Sequence, residues 1–180
     1  MVCIATAKGC GPGLGWSSPW NQGPSPSLPM TSTLSSPTAL DTTAPLDPAV
    51  AFVALALAAV SWDGSLTMAG SRALRHALDY RHPYRDYTPE QMVGLMDGLM
   101  ATLRRDGPQH LMVRAAEVLN AGQRATAYAV AAEIMRSDGP LEDDERNILS
   151  NLAATLQLGD AVTIPVHAAM DLLHADLDMA

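Results

Sequence analysis

Residues 88 to 107, TPEQMVGLMDGLMATLRRDG, predict a complete amphipathic helix with its own start and stop signals. Thr88 is a good N-cap residue, Pro89 suits the first helical position, and Gln91 stands three residues after the cap, as a capping box requires. Apolar side chains then recur three and four residues apart and form one helix face: Met92, Leu95, Met96, Leu99, Met100 and Leu103. The Asp-Gly-Pro run at 106 to 108 ends the helix.

The same helical spacing continues through most of the chain from residue 49 onward, and no stretch shows the alternation of a strand. The longest apolar run, AVAFVALALAAV at 49 to 60, is shorter than the roughly 20 residues that a membrane-spanning helix needs, so we interpret it as a buried helix. Helices are predicted near 49–62, 67–80, 88–105, 108–119, 122–137, 142–157 and 160–175. The predicted fold class is therefore all-α, a compact bundle of about seven helices.

Two segments of the chain align with each other, residues 52–78 and residues 128–153. The alignment superimposes Asp63-Gly64 on Asp138-Gly139 and places a leucine three residues after each aspartate. An apolar helix precedes each turn, and glycine supplies the permissive backbone that a sharp turn needs. The bundle is therefore predicted to contain two helix-turn-helix units with Asp-Gly turns.

The first part of the chain, residues 1–47, has a different composition. Eight of the thirteen prolines lie at or before Pro48, together with many Gly, Ser and Thr residues and no periodic apolar face. We therefore expect a disordered leader at 1–47 and a helical domain at 48–180, and we expect deletion of the leader to leave the fold nearly intact. Met30 is an alternative start to Met1.

Composition and motifs also narrow the function. The formal net charge is -8 and no stretch is dense in Lys and Arg, so we expect no nucleic-acid partner. The sequence has no Gly-x-Ser-x-Gly motif, no Gly-rich phosphate loop after a strand, and no cysteine beyond position 10. The protein is therefore predicted not to be an enzyme. Without a signal peptide or a transmembrane segment it is expected in the cytoplasm.

The stretch SDGPLEDDER at 137 to 146 is the main candidate for a functional site. Gly139 and Glu145 have the spacing of the second half of an EF-hand calcium loop. The first half is missing, because Arg136 and Ile134 stand where that loop needs oxygen ligands. Carboxylates at a helix N-terminus are also stabilised by the helix dipole without any ligand.

Two interpretations of the stretch therefore remain, a well-capped helix start and a weak divalent-cation site. In the second, the carboxylates repel one another, and their combined negative charge attracts a hard cation, Ca²⁺ or Mg²⁺. The ligands would be Asp138, Glu142 and Glu145, with Asp143 or Asp144 as support and Asp63 from the other unit.

The last predicted helix carries a second candidate. His167, Asp171 and His174 are four and three residues apart, so they share one helix face and have the residue types of an open zinc site. The alternative is an ordinary polar stripe beside a core face, because apolar residues surround all three.

A series of features along residues 50–175 occurs in a characteristic order. An Ala-rich helix ends in an Asp-Gly turn, YRDYTPEQM follows at 84–92, and a second helix leads to an Asp-Gly turn and an acidic helix start. The segment LAATLQLGD at 152–160 closes the series. In this order and spacing the chain resembles the TerB-like tellurite-resistance family. The resemblance implies a compact all-helical cytoplasmic domain, associated with stress or tellurite resistance, that has an acidic surface proposed to bind metal and no enzymatic activity.

The two units follow the family pattern to different extents. In the second unit Asp138-Gly139 is followed by Glu145, seven residues after the aspartate. The first unit has Asp63-Gly64, but Gly70 stands where a glutamate is expected. We therefore expect a non-enzymatic stress-response module that acts through a metal or a protein partner on its acidic face. The alternative is a helical bundle for protein-protein interaction without bound metal.

Overall fold

The computed structural model describes residues 40–41, 44–62 and 64–176, apart from the side chain of Asp138. Within these ranges the chain forms seven α-helices and no strand, which confirms the predicted all-α fold. The helices are α1 (Pro48–Val60), α2 (Met68–Asp79), α3 (Pro89–Asp106), α4 (Pro108–Val118), α5 (Ala121–Met135), α6 (Asp143–Thr155) and α7 (Asp160–Leu173). Short 3-10 helices lie at Tyr84–Asp86 and Arg136–Asp138. Each α-helix begins and ends within two residues of its predicted bounds.

Helix α1 is the buried centre of the bundle. Asp47 caps it by accepting the backbone N–H of Ala49 at 2.8 Å, and Pro48 occupies the first helical position. Every residue from 51 to 59 is buried. Helices α4 and α5 make the most extensive contacts with α1, and α2, α3 and α6 also touch it. A helix that is apolar on all sides needs neighbours on all sides, so the prediction of a buried helix is confirmed.

Helix α3 has the start, the face and the end that its sequence predicts. The Thr88 N–H donates to Gln91 Oε1 at 2.8 Å, and the Gln91 N–H donates to Thr88 Oγ1 at 3.2 Å. All six residues of its apolar stripe are buried or packed against the core. Gly107 then adopts a φ of 83°, which glycine reaches without steric cost, and α4 begins at the next residue.

Helices α1 and α5, the first helices of the two predicted units, run side by side in the same direction. Ala49 and Gly122, from their first turns, line one cleft. Val60 and Met135, from their last turns, line a cavity at the other end. The segments that follow α1 and α5 therefore meet at the same end of the bundle. The first of them turns at Gly64, whose φ is 83°.

Residues before α1 also pack on the helices. We call residues 40–41 and 44–47 the N-terminal arm. The Leu40 N–H donates to Thr102 Oγ1 at 2.7 Å, and Arg114 Nη2 donates to two carbonyl oxygens of the arm at 2.7 and 2.8 Å. Leu46 is buried in the core. Composition places the boundary of the helical domain after residue 47, whereas contacts with the helices extend back to residue 40. Deletion of residues 1–47 would therefore remove part of the packed domain, contrary to the expectation from composition.

Candidate functional site

A cavity of about 320 Å³ lies where the segments after α1 and α5 meet. We call it the inter-turn cavity. Residues with polar side-chain atoms reach it from both segments: Trp62, Ser65 and Thr67 from the first, and Ser137, Asp144 and Glu145 from the second. Apolar residues, including Ile134 and Ile148, line the remaining walls. The fold therefore brings carboxylates from the start of α6 to the turn that follows α1.

Helix α6 begins within the run of four carboxylates. Glu142 precedes the helix, and the next three acidic residues form its first turn. Glu145 Oε2 accepts the backbone N–H of Glu142 at 2.9 Å, so Glu145 satisfies a donor at the helix start. Asp143 is almost fully exposed, with its Oδ1 3.5 Å from Arg146 Nε. The stretch forms a capped helix start, which is one of its two interpretations. Of its four carboxylates, Asp144 and Glu145 line the inter-turn cavity.

Two of the predicted cation ligands lie outside the described residues, namely Asp63 and the side chain of Asp138. Their chain neighbours Trp62 and Ser137 line the inter-turn cavity. Among the residues that the structure describes, no group of three His, Cys, Asp or Glu side chains is arranged to hold a metal ion. The described part of the chain supplies two carboxylates to the cavity, and the complete ligand set stays a prediction.

The first unit contributes a glycine to the cavity where the second contributes a carboxylate. Gly70 and Glu145, which correspond in the alignment of the two units, both line the inter-turn cavity. Thr67 caps α2 by accepting the Gly70 N–H at 3.0 Å, so a neutral hydroxyl occupies the start of this helix. A Cβ atom at residue 70 would lie 3.2 Å from Thr67 Oγ1, which is a tight contact. The two units therefore contribute unequally to the cavity.

The serines of the two turn segments were not singled out by any sequence motif. Ser65 lies two residues after Asp63, and Ser137 lies directly before Asp138. Both line the inter-turn cavity. Their position beside the two Asp-Gly pairs is the signal that could have found them. Oxygen atoms of this kind are suitable neighbours for a hard cation.

The three residues of the predicted zinc site have other neighbours. His167 Nε2 lies 2.8 Å from the hydroxyl oxygen of Tyr128 on α5. Asp171 Oδ1 lies 3.2 Å from Arg136 Nη1. His174 is exposed at the end of α7. The structure describes all three side chains and does not bring them together in an arrangement that could hold a metal ion. His167 attaches α7 to α5, and Asp171 attaches α7 to the 3-10 helix that follows α5. Both contacts agree with the alternative of a polar stripe beside a core face.

Comparisons of the chain with protein-family models, with curated proteins and with solved structures find no significant match. Within the described ranges, no helix is both long enough and apolar enough to span a membrane.

Proposed function

We propose that the protein is a TerB-like, non-enzymatic module of the tellurite or stress response that acts in the cytoplasm by binding a divalent cation in the inter-turn cavity. The observation that carries this proposal is the meeting of both turn segments at one cavity that Asp144 and Glu145 line. Glu142, a ligand in the sequence-based prediction, does not line the cavity and is left out of this proposal. Asp63 and Asp138, the other ligands of the proposal, are sequence neighbours of Trp62 and Ser137, which line the cavity. The resemblance of the motifs to the TerB-like family supports the stress-response role.

Ca²⁺ and Mg²⁺ fit the chemistry of this cavity better than softer metals. Both prefer oxygen ligands, and the cavity presents two carboxylates and the hydroxyl residues Ser65, Thr67 and Ser137. Among the described residues, no His or Cys lines it. Carboxylates are crowded at the start of α6, where four follow one another in a chain with a net charge of -8. We expect a Kd on the order of 10⁻⁴ M, because a cation must give up its water for few rigid ligands.

A second candidate function is a helical bundle that binds a protein partner through its acidic face without metal. The hydrogen bond from the Glu142 N–H to Glu145 Oε2 favours this candidate, because it gives Glu145 a structural role that needs no cation. Asp143 is nearly fully exposed and is accessible to a partner. The two functions differ in which carboxylates matter, since of the four described carboxylates at 142–145 only Asp144 and Glu145 line the cavity.

A pair of matched double variants separates these functions. Asp144→Asn with Glu145→Gln removes two charges from the inter-turn cavity, and Glu142→Gln with Asp143→Asn removes two charges from the same acidic stretch outside it. In thermal-shift assays with millimolar Ca²⁺ or Mg²⁺, the wild type and the outer variant are expected to gain stability. The cavity variant is expected to gain little, because a ligand stabilises only the state that binds it.

Each alternative result has a defined meaning. Cation binding is refuted if the wild type does not shift with any of Ca²⁺, Mg²⁺, Mn²⁺ or Zn²⁺. The site is wrongly placed if both double variants lose the shift equally. Asp138→Asn with Glu145→Gln extends the test to the side chain that the structure does not describe. The stress-response role requires that deletion of the gene in its native host increases sensitivity to tellurite and that the wild-type gene restores growth better than the cavity variant.

A further inference from the structure

A second depression lies at the opposite end of α1 and α5 from the inter-turn cavity. It is an open cleft of about 750 Å³, lined by the first turns of these two helices and by residues 81–84 of the connection after α2. We call it the helix-start cleft. Helix α1 has 13 residues, so about 20 Å separates the cleft from the cavity. The volume falls within the range of about 300 to 1,000 Å³ that is typical of small-molecule sites.

One wall of the cleft is an aromatic surface that is held in place. Phe52 and Tyr84 both line it, with ring centroids 6.2 Å apart, and both are largely buried. The Tyr84 hydroxyl donates to the Ala49 carbonyl oxygen at 2.7 Å, which fixes the ring against α1. Burial raises the pKa of this hydroxyl, so it remains a neutral donor at ordinary pH. A preformed apolar wall of this kind suits the hydrocarbon part of a ligand.

The polar groups of the cleft favour an anion. Arg81 and His82 line it, and no described carboxylate forms an ion pair with Arg81. His82 Nδ1 lies 3.2 Å from Asp86 Oδ2, so Nε2 is the ring nitrogen that this contact does not use. The Arg81 guanidinium lies 4.4 Å from the centre of the Tyr80 ring, and its Nη1 donates to the Ala77 carbonyl oxygen. These contacts orient the guanidinium without neutralising it. Asp47, the acidic residue of the lining, is engaged through Oδ1 with the Ala49 N–H.

Backbone donors add to this charge. Gly122 lies in the first turn of α5 and lines the cleft. The Asn120 side chain accepts from the Gln123 N–H at 2.9 Å and so satisfies one donor of that turn. The N-terminal end of α5 faces the cleft without an acidic residue in its first turn, and the partial positive charge of a helix N-terminus favours an anionic group. At the start of α1 the Asp47 carboxylate already takes this position.

We propose that the helix-start cleft binds a small organic anion, a carboxylate or phosphate monoester with an apolar body. Arg81 and His82 hold the anionic group, and the apolar body lies against Phe52 and Tyr84. In a chain with a net charge of -8, this cleft places Arg81, which forms no ion pair with a described carboxylate, beside an aromatic wall. The site is separate from the inter-turn cavity, and its test does not depend on cation binding there.

The test measures binding of three probes to the full chain by calorimetry: phenyl phosphate, benzoate and benzyl alcohol. All three carry one aromatic ring, and only the first two are anions. At least one anion is expected to bind about tenfold or more tightly than the alcohol, because a charge-assisted hydrogen bond contributes at least about this factor. The tighter anion identifies the ligand class. Equal binding of all three probes, or no binding of either anion at millimolar concentration, overturns the proposal.

Matched variants identify the residues that bind the anionic group of the ligand. Arg81→Gln and His82→Gln are each expected to weaken anion binding severalfold to tenfold. Arg85→Gln, an exposed residue of the same connection that does not line the cleft, is expected to leave binding unchanged. An equal loss in Arg85→Gln would show a general charge effect and refute the site. His82 is well exposed, so its variant decides the matter even if Arg81→Gln impairs folding.

Discussion

Replacing Thr102 by valine is expected to detach the N-terminal arm from α3. Thr102 is fully buried, and its Oγ1 accepts the Leu40 N–H at 2.7 Å and donates to the Gly98 carbonyl oxygen at 2.8 Å. Valine has nearly the same shape and a similar helix propensity, so the substitution removes the hydroxyl and changes little else. In the variant, the Leu40 N–H has no side-chain acceptor on α3. Leu40 then keeps the hydrogen bond that its carbonyl oxygen accepts from Arg105 Nη2.

The free energy of unfolding should fall by about 1 to 2 kcal/mol, because a partly buried donor loses its acceptor. For a domain of this size, such a loss lowers the Tm by about 3 to 6 °C. Urea denaturation measures the first quantity and calorimetry the second. Hydrogen exchange at the Leu40 amide reports on the arm itself and should become faster in the variant, because its protection depends on this contact.

Thr126→Val is the matched control. The Thr126 hydroxyl donates to the Gly122 carbonyl oxygen at 2.9 Å, which is the same contact along a helix, but Thr126 is exposed. Its substitution is expected to change the stability by less than about 0.5 kcal/mol. If both variants lose the same stability, the effect comes from the helix and not from the arm. Rapid exchange of the Leu40 amide in the wild type would refute docking of the arm altogether.

Three further perturbations test other parts of the structure. Ser61→Ala should raise the free energy of unfolding by about 1 kcal/mol, because Ser61 Oγ is buried and has no hydrogen-bond partner among the described residues. A loss of stability in urea denaturation would contradict this prediction. Deleting residues 1–38 should leave the Tm unchanged, whereas deleting residues 1–47 should lower it, since burial of Leu46 alone contributes about 1.5 to 3 kcal/mol. Equal Tm values of the two truncated proteins would refute the packing of the arm on the helices. The free energy of unfolding should decline as the pH rises above 10.0, because burial raises the pKa of Tyr84 in the folded protein and the unfolded chain therefore loses this proton first. Tyr84→Phe should flatten the decline, and an unchanged slope in alkaline denaturation curves would refute the role of Tyr84.

Much of the fold could be predicted because its signals are local. The capping box of Thr88 and Gln91 joins residues three positions apart, and each partner is visible in the same short stretch. The burial of α1 follows from the absence of any polar face on that helix. The acidic start of α6 is likewise a property of consecutive residues. Such features depend on propensities and on side-chain spacing, which the sequence displays directly.

The candidate sites needed the tertiary structure. The alignment of the two units placed Gly70 opposite Glu145, but only the packing of α1 beside α5 shows that both residues line one cavity. The spacing of His167 and Asp171 on one helix face suggested a shared ligand, whereas the structure gives each of them a different partner. The helix-start cleft had no sequence motif, because its walls come from three separate parts of the chain.

By itself the sequence determined the fold class, the number and bounds of the helices, and the acidic character of the start of α6. The tertiary structure alone decided which helix ends meet, which carboxylates face the inter-turn cavity, and that the arm joins the bundle. The bond between Leu40 and Thr102 spans 62 positions and the contact between Tyr128 and His167 spans 39. Contacts of this kind depend on how the helices pack around α1, because their geometry is fixed by packing and not by local propensity.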